Sequence, residues 1–294
     1  MDQAEQLRNI IKANSMPRRP LARVITVTSG KGGVGKSNTS INLALQFKQM
    51  GQRVIILDAD FGLANIEIMF GAVPRFNLYD LIYQGKNIKD IITWGQGGVG
   101  FISGGSGISN MGDLSREYLI YIIQNLAELD SLADIIIVDT GAGISDSVLE
   151  FLVASGEVLL VTTPEPTSIT DSYSLLKKLN KHPRFSSNET KIKVIANMVR
   201  NTAEGETLYH KLNAVVSRYL KLPIFYLGSV PSDKELEDAV RQQMPVSLKS
   251  PMAKSSIAYQ EIAGKLMSKD VSGDVPRRGM AAFFSHIIKS KKTS

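Results

Sequence analysis

Directly after an apolar run ending at Thr28 the chain reads Gly30-Lys31-Gly32-Gly33-Val34-Gly35-Lys36-Ser37. This is a G-x-x-x-x-G-K-S spacing, and the chemistry it suits is phosphate binding. The glycines Gly30, Gly32, Gly33 and Gly35, with Val34 between them, let the backbone curl so that successive N–H groups converge on phosphate oxygens. A helix starting near Ser37 would add its positive N-terminal end. Lys36 is placed to reach the β- and γ-phosphates, and the Ser37 hydroxyl to ligate Mg²⁺. Asn38 follows immediately and is grouped with the loop, although the motif gives it no role of its own.

Carboxylates follow in an order that matches this chemistry. One apolar run ends in Leu57-Asp58-Ala59-Asp60, another in Ile135-Ile136-Ile137-Val138-Asp139. Acidic groups at the carboxyl ends of strands face the crevice where open α/β sheets bind ligands. An apolar strand ending in Asp139 is the pattern that holds Mg²⁺ through its water shell beside a phosphate loop. The glycines after it suit a loop that senses the terminal phosphate.

Such residues need rigid elements behind them. Short Val/Ile-rich runs recur at Val24–Thr28, Val54–Asp58, Val99–Ser103, Ile135–Asp139, Val158–Thr162, Ile192–Asn197 and Ile224–Gly228. Most lack polar alternation, as expected of strands covered on both faces. Helical patterns lie between them at Asn38–Met50, Leu114–Leu129, Ser168–Lys181 and Thr207–Leu220. The alternation predicts an α/β fold, a three-layer P-loop NTPase with a mostly parallel sheet and helices on both faces.

The second lysine of the loop, Lys31, makes the motif K-G-G-x-G-K-S, which resembles the deviant phosphate loop of the MinD/ParA ATPases. That resemblance covers essentially the whole chain and implies ATP/ADP and Mg²⁺ as ligands and ATP hydrolysis as the activity. It implies that Lys31 crosses the interface of an ATP-dependent homodimer and stabilises charge on the partner's transferred phosphoryl group. By the same resemblance Asp60 positions the attacking water, Asp58 supports the Mg²⁺ shell and Asn197 reads the adenine edge. Pro231 would form a second wall of the base pocket. Ordinary turn chemistry is the alternative for both Asn197 and Pro231. Thr163–Asp171 also matches the family, with a structural role beside the site. Many relatives carry Pro where Gly141 or Ala142 stands here.

Two ends stand apart from this body. Met280, Phe283, Phe284, Ile287 and Ile288 form one apolar stripe at helical spacing, with Lys289 beside it. This composition suits an interfacial helix on an anionic membrane, and a last helix packed on the body is the alternative. At the other end Asp2, Gln3, Ala4, Leu7 and Arg8 match the D-Q-A-x-x-L-R activator motif of flagellar-number regulators within the family. That motif implies stimulation of the flagellar signal-recognition-type GTPase FlhF, with flagellar switch (C-ring) proteins as further partners. The expected organisation is a partner-binding helix at 1–13, a linker at 14–22, the ATPase domain at 23–267, a second linker at 268–279 and the amphipathic helix at 280–294.

Composition limits the other classes. The chain has 294 residues and no cysteine, which excludes thiolate zinc and cysteine-held iron–sulfur sites. The net charge is +6, but it sits at the two ends, and the stretch Val24–Pro276 sums to −2. A DNA-binding partition ATPase would want a basic body, so no nucleic acid is expected. A nucleotide-binding scaffold without turnover is the reading from another class. No apolar run reaches the length of about 18–20 residues that spans a membrane, and Met1–Glu5 is too polar to open a secretory signal. The expected location is the cytoplasm, peripheral on the inner face of the cell membrane when ATP is bound.

Overall fold

A computed structural model describes residues 21–60, 65–105, 125–268 and 279–289. Its strands are β1 (Arg23–Thr28), β2 (Val54–Ala59), β3 (Thr93–Trp94), β4 (Gly100–Ile102), β5 (Ile135–Thr140), β6 (Glu157–Thr162), β7 (Lys191–Val199) and β8 (Ile224–Pro231). They form one sheet in the order β3-β4-β2-β5-β1-β6-β7-β8. Among the described residues only the β3–β4 pair is antiparallel. All seven expected strands are present. The added strand, β3, has two residues, too few for any pattern.

The helices are α1 (Lys36–Gln49), α2 (Asn65–Phe70), α3 (Leu78–Tyr83), α4 (Leu129–Leu132), α5 (Asp146–Ala154), α6 (Pro166–Asn180), α7 (Thr202–Leu220), α8 (Lys234–Arg241), α9 (Val246–Lys249), α10 (Lys254–Met267) and α11 (Gly279–Lys289). Local chemistry fixes several starts. Asn77 and Asp80 close a reciprocal capping box on α3, and the Ser145 and Asn201 side chains accept N–H groups at the starts of α5 and α7. Of the expected helix Leu114–Leu129, residues 114–124 lie outside the described residues.

Strand residues alternate between two cores, which is why the runs read as continuously apolar. Ile25, Val27, Val54, Ile56, Ile135 and Ile137 face one core, with Phe47 of α1 and Tyr259 of α10. Ile55, Leu57, Ile136 and Val138 face the opposite side, with Phe151 of α5. Further along that side Leu160, Val194, Leu175 and Leu212 continue the packing under α6 and α7.

The last helix is packed on the body, the alternative left open for it. Four residues of the stripe assigned to lipid, Met280, Phe283, Phe284 and Ile287, are buried against the body. They pack with Ala22, Leu126, Leu129 and Phe151, and the Phe283 ring stacks on Phe151 with centroids 6.0 Å apart. An apolar helix face tethered to its own body takes a dry groove there without the cost of bringing two molecules together. The side chains of Ile288 and Lys289 lie outside the described set, as do Asp2, Gln3, Ala4, Leu7, Arg8 and both linkers up to residue 20 and from 269 to 278.

Candidate functional site

The central strands β2, β5 and β1 are neighbours, so their carboxyl ends bring the predicted residues into one crevice. The loop leaves β1 at Thr28, where Ser29 Oγ donates to the Lys31 carbonyl at 2.9 Å and Gly143 N–H donates to the Ser29 carbonyl at 3.0 Å. Gly33 and Gly35 take left-handed φ values of 78° and 86°, a conformation that suits glycine. Gly30 is needed for a different reason. A Cβ there would lie 2.3 Å from the Asp171 carbonyl carbon, so α6 approaches the loop backbone-to-backbone.

Behind the loop, Asp139 organises α1. Its Oδ2 accepts from Ser37 Oγ at 2.7 Å and pairs with Lys36 Nζ at 3.1 Å, while its Oδ1 accepts from Ser40 Oγ at 2.7 Å. Asp139 is wholly buried and Lys36 nearly so. Ser40 was not legible as a site residue. It lies three residues past Ser37, one helical turn along the same face of α1, and a helical-face count from Ser37 would have reached it.

Asp58 stands opposite Asp139 in the β2–β5 register. It is buried and accepts the Asp60 and Ile66 N–H groups at 3.1 and 3.4 Å. Burial first, and the Asp139 charge second, push its carboxyl up to about 8. With one lysine between them, these two facing buried carboxyls can both ionise readily only when a further cation is bound. Ser37, Asp58 and Asp139 supply only oxygen donors, the set a hard divalent cation prefers. The residues therefore fit Mg²⁺. Asp60 accepts from Asn65 Nδ2 at 3.5 Å and faces Gly141, whose added Cβ would lie 3.7 Å from Asp60 Oδ1. The loops after β2 and β5 thus meet at Asp60.

Lys31 points elsewhere. Its Nζ pairs with Glu165 Oε2 at 2.8 Å and donates to Thr167 Oγ1 at 3.1 Å, at the start of α6. Lys36 lies inward on Asp139, and Lys31 is drawn outward to an exposed carboxylate. Sequence alone gave the Thr163–Asp171 segment no such role, because the two partners are 134 residues apart.

The expected base-pocket residues also converge. Asn197 Nδ2 donates to the Val34 carbonyl at 2.7 Å, and a Cβ on Gly35 would lie 2.3 Å from that nitrogen. Asn197 pairs with Val230 and Val199 with Pro231 across β7 and β8, so both predicted walls lie side by side. A bulge there puts Met198 at φ 57° with its side chain partly exposed. Met198 was not foreseen, since nothing in its type marks a left-handed residue. Asn38 sits in the first turn of α1, its carbonyl accepting from Asn42 at 2.8 Å. The arrangement can bind a phosphate chain at the loop, hold a divalent cation beneath it and present Asp60 from the side.

The chain is similar to known proteins over most of its length. The family described as ParA, NUBPL iron-transfer P-loop NTPase, matches residues 21–267. The chain is 39% identical over 271 residues to the antiactivator FleN of Pseudomonas aeruginosa, covering 92% of this chain and 95% of that protein. It is 35% identical to the flagellum site-determining protein YlxH of Helicobacter pylori, covering 98% of each. In fold it is similar to the septum site-determining protein MinD of Pyrococcus horikoshii complexed with Mg-ADP, with a TM-score of 0.65 and 21% identity over 85% of this chain and 98% of that one.

Proposed function

Because this chain belongs to the ParA/MinD family of P-loop NTPases, we propose that it is an ATP-hydrolysing dimerisation switch of the FleN/YlxH kind that sets flagellar number and placement. The observation that carries this reading is the division of labour between the two loop lysines. Lys36 is committed inward to Asp139, while Lys31 is held outward on Glu165, 2.8 Å away. An outward lysine is available to a second copy of the chain, where it would act as a positive finger on a developing phosphoryl charge.

In this reading the N–H groups of Gly32, Gly33, Val34 and Gly35 and the Lys36 ammonium bind the phosphates of ATP. Mg²⁺ held by Ser37, Asp58 and Asp139 neutralises phosphate charge when bound. Asp60 orients the water, and Asn197 and Pro231 receive the base. The N-terminal segment Asp2–Arg8 stimulates the FlhF GTPase, and C-ring proteins are further partners. The C-terminal helix binds anionic lipid on the inner face of the membrane. Its apolar face is covered by the body, so lipid binding requires that it leave the groove. Pairing two copies then makes weak individual contacts persist.

The test is sedimentation with anionic liposomes, with and without ATP, for wild type and Lys36→Gln, together with dimerisation of wild type and Lys31→Ala in ATP and Mg²⁺. ATP-dependent lipid binding and pairing by wild type, lost in the respective variants, are the expected results. A wild-type chain that stays single in saturating ATP and Mg²⁺ refutes the switch. Removing residues 1–14 should abolish GTPase stimulation and leave ATP binding intact.

A further inference from the structure

The backbone at Ala22 and the start of α11 meet at one side chain. The Asp130 carboxylate, in the short helix α4, accepts the Met280 N–H at 3.0 Å through Oδ1 and 3.2 Å through Oδ2. It also accepts the backbone N–H groups of Ala281 and Ala22. Gly279, at the start of α11, has no side chain to cap its own helix, so Asp130 caps it from a distant part of the chain. The fit is close. Gly279 has φ 67°, and a Cβ on it would lie 2.5 Å from Asp130 Oδ2.

Ala22 is fully buried in the same cluster as Met280 and Phe283. The next residue, Arg23, donates from Nη1 to the Leu266 carbonyl at 2.6 Å, at the end of α10. The Ala22–Arg23 pair therefore touches the chain where the C-terminal connector departs and where it returns. The residues before Ala22 are joined to the body through that pair.

We propose that Asp130 is a shared anchor that couples the N-terminal segment to the C-terminal helix, so that docking of the helix and fixation of the chain at Ala22 strengthen one another. The coupling follows from one carboxylate serving three N–H groups from two segments, and from the helix covering Ala22. When the helix leaves, the carboxylate is hydrated and Ala22 loses its apolar cover. A partner that pulls on the N-terminal segment then also loosens the helix, because coupling between two sites is reciprocal. This inference rests on the reading that the C-terminal helix leaves the body in function.

The experiment is amide hydrogen exchange at Ala22, Met280 and Ala281 in the full-length chain. Asp130→Ala should lower protection at all three amides about two- to thirtyfold, the range for loss of a helix cap. Asp130→Asn keeps one acceptor oxygen and should fall between wild type and Ala. Phe283→Ala weakens docking without touching Asp130, and the coupling requires that it lower protection at Ala22 as well. Should Asp130→Ala fail to fold, the Asn and Phe283→Ala variants carry the test.

Unchanged protection at Met280 in Asp130→Asn, or at Ala22 in Phe283→Ala, overturns the shared anchor. Phosphatidylglycerol vesicles added without nucleotide separate this from the functional reading. If all three amides open while vesicle binding stays at the wild-type level, the anchor stands and the membrane role fails.

Discussion

Replacing Phe151 by Ala tests the docked helix from the body's side and leaves the helix sequence intact. Phe151 lies on α5, is 3% exposed, and its ring stacks on Phe283. Truncating a buried Phe to Ala costs about 3–5 kcal/mol in all. The stacked aromatic pair accounts for roughly 0.5–1.5 kcal/mol of this, and contact with α11 for a share that brings the docking loss to about 2 kcal/mol. At about 1.4 kcal/mol per factor of ten, the undocked fraction should rise roughly thirtyfold. The assay is pelleting with anionic vesicles in the absence of nucleotide, beside a urea titration to follow the body. The expected result is nucleotide-independent pelleting well above wild type, from a body that still binds ATP. If Phe151→Ala pellets no more than wild type although exchange across 279–289 has risen, the freed stripe has no use for lipid. If that exchange does not rise, the packing argument itself is wrong.

Three further outcomes follow from other parts of the molecule. Glu157 lies buried between Arg23 and Lys193, with contacts of 2.8 and 2.6 Å, and Glu157→Gln should cost about 3–5 kcal/mol in a urea titration because it leaves both cations without a charged partner. Burial alone would raise the Glu157 carboxyl, but Arg23 and Lys193 outweigh it and hold it below the usual range. Its contribution is therefore fully present above the unfolded value near pH 4.3, roughly, and is lost as pH falls through the folded value, so Glu157→Gln should flatten the acid limb of a stability–pH curve. Gly35→Ala places a side chain at φ 86° with its Cβ 2.3 Å from Asn197 Nδ2, and it should abolish nucleotide binding in a calorimetric titration while destabilising the fold by about 1–2 kcal/mol.

The sequence alone determined the elements whose chemistry is local. The phosphate loop is contiguous, its glycines and lysines act through backbone and short reach, and it was legible as a pattern. Asp58, Asp60 and Asp139 were legible because apolar strands announce their own carboxyl ends. Tertiary structure decided everything that depends on residues far apart meeting. Ser40 joins Asp139 only because α1 packs over β5, 99 residues away. Lys31 finds Glu165 only because α6 lies against Gly30. The C-terminal stripe shows the same limit, since a helical period specifies that one face must leave water but not what will cover it. That choice was made by a groove built from Ala22, Leu126, Leu129 and Phe151, residues that come together only when the sheet and its helices have assembled.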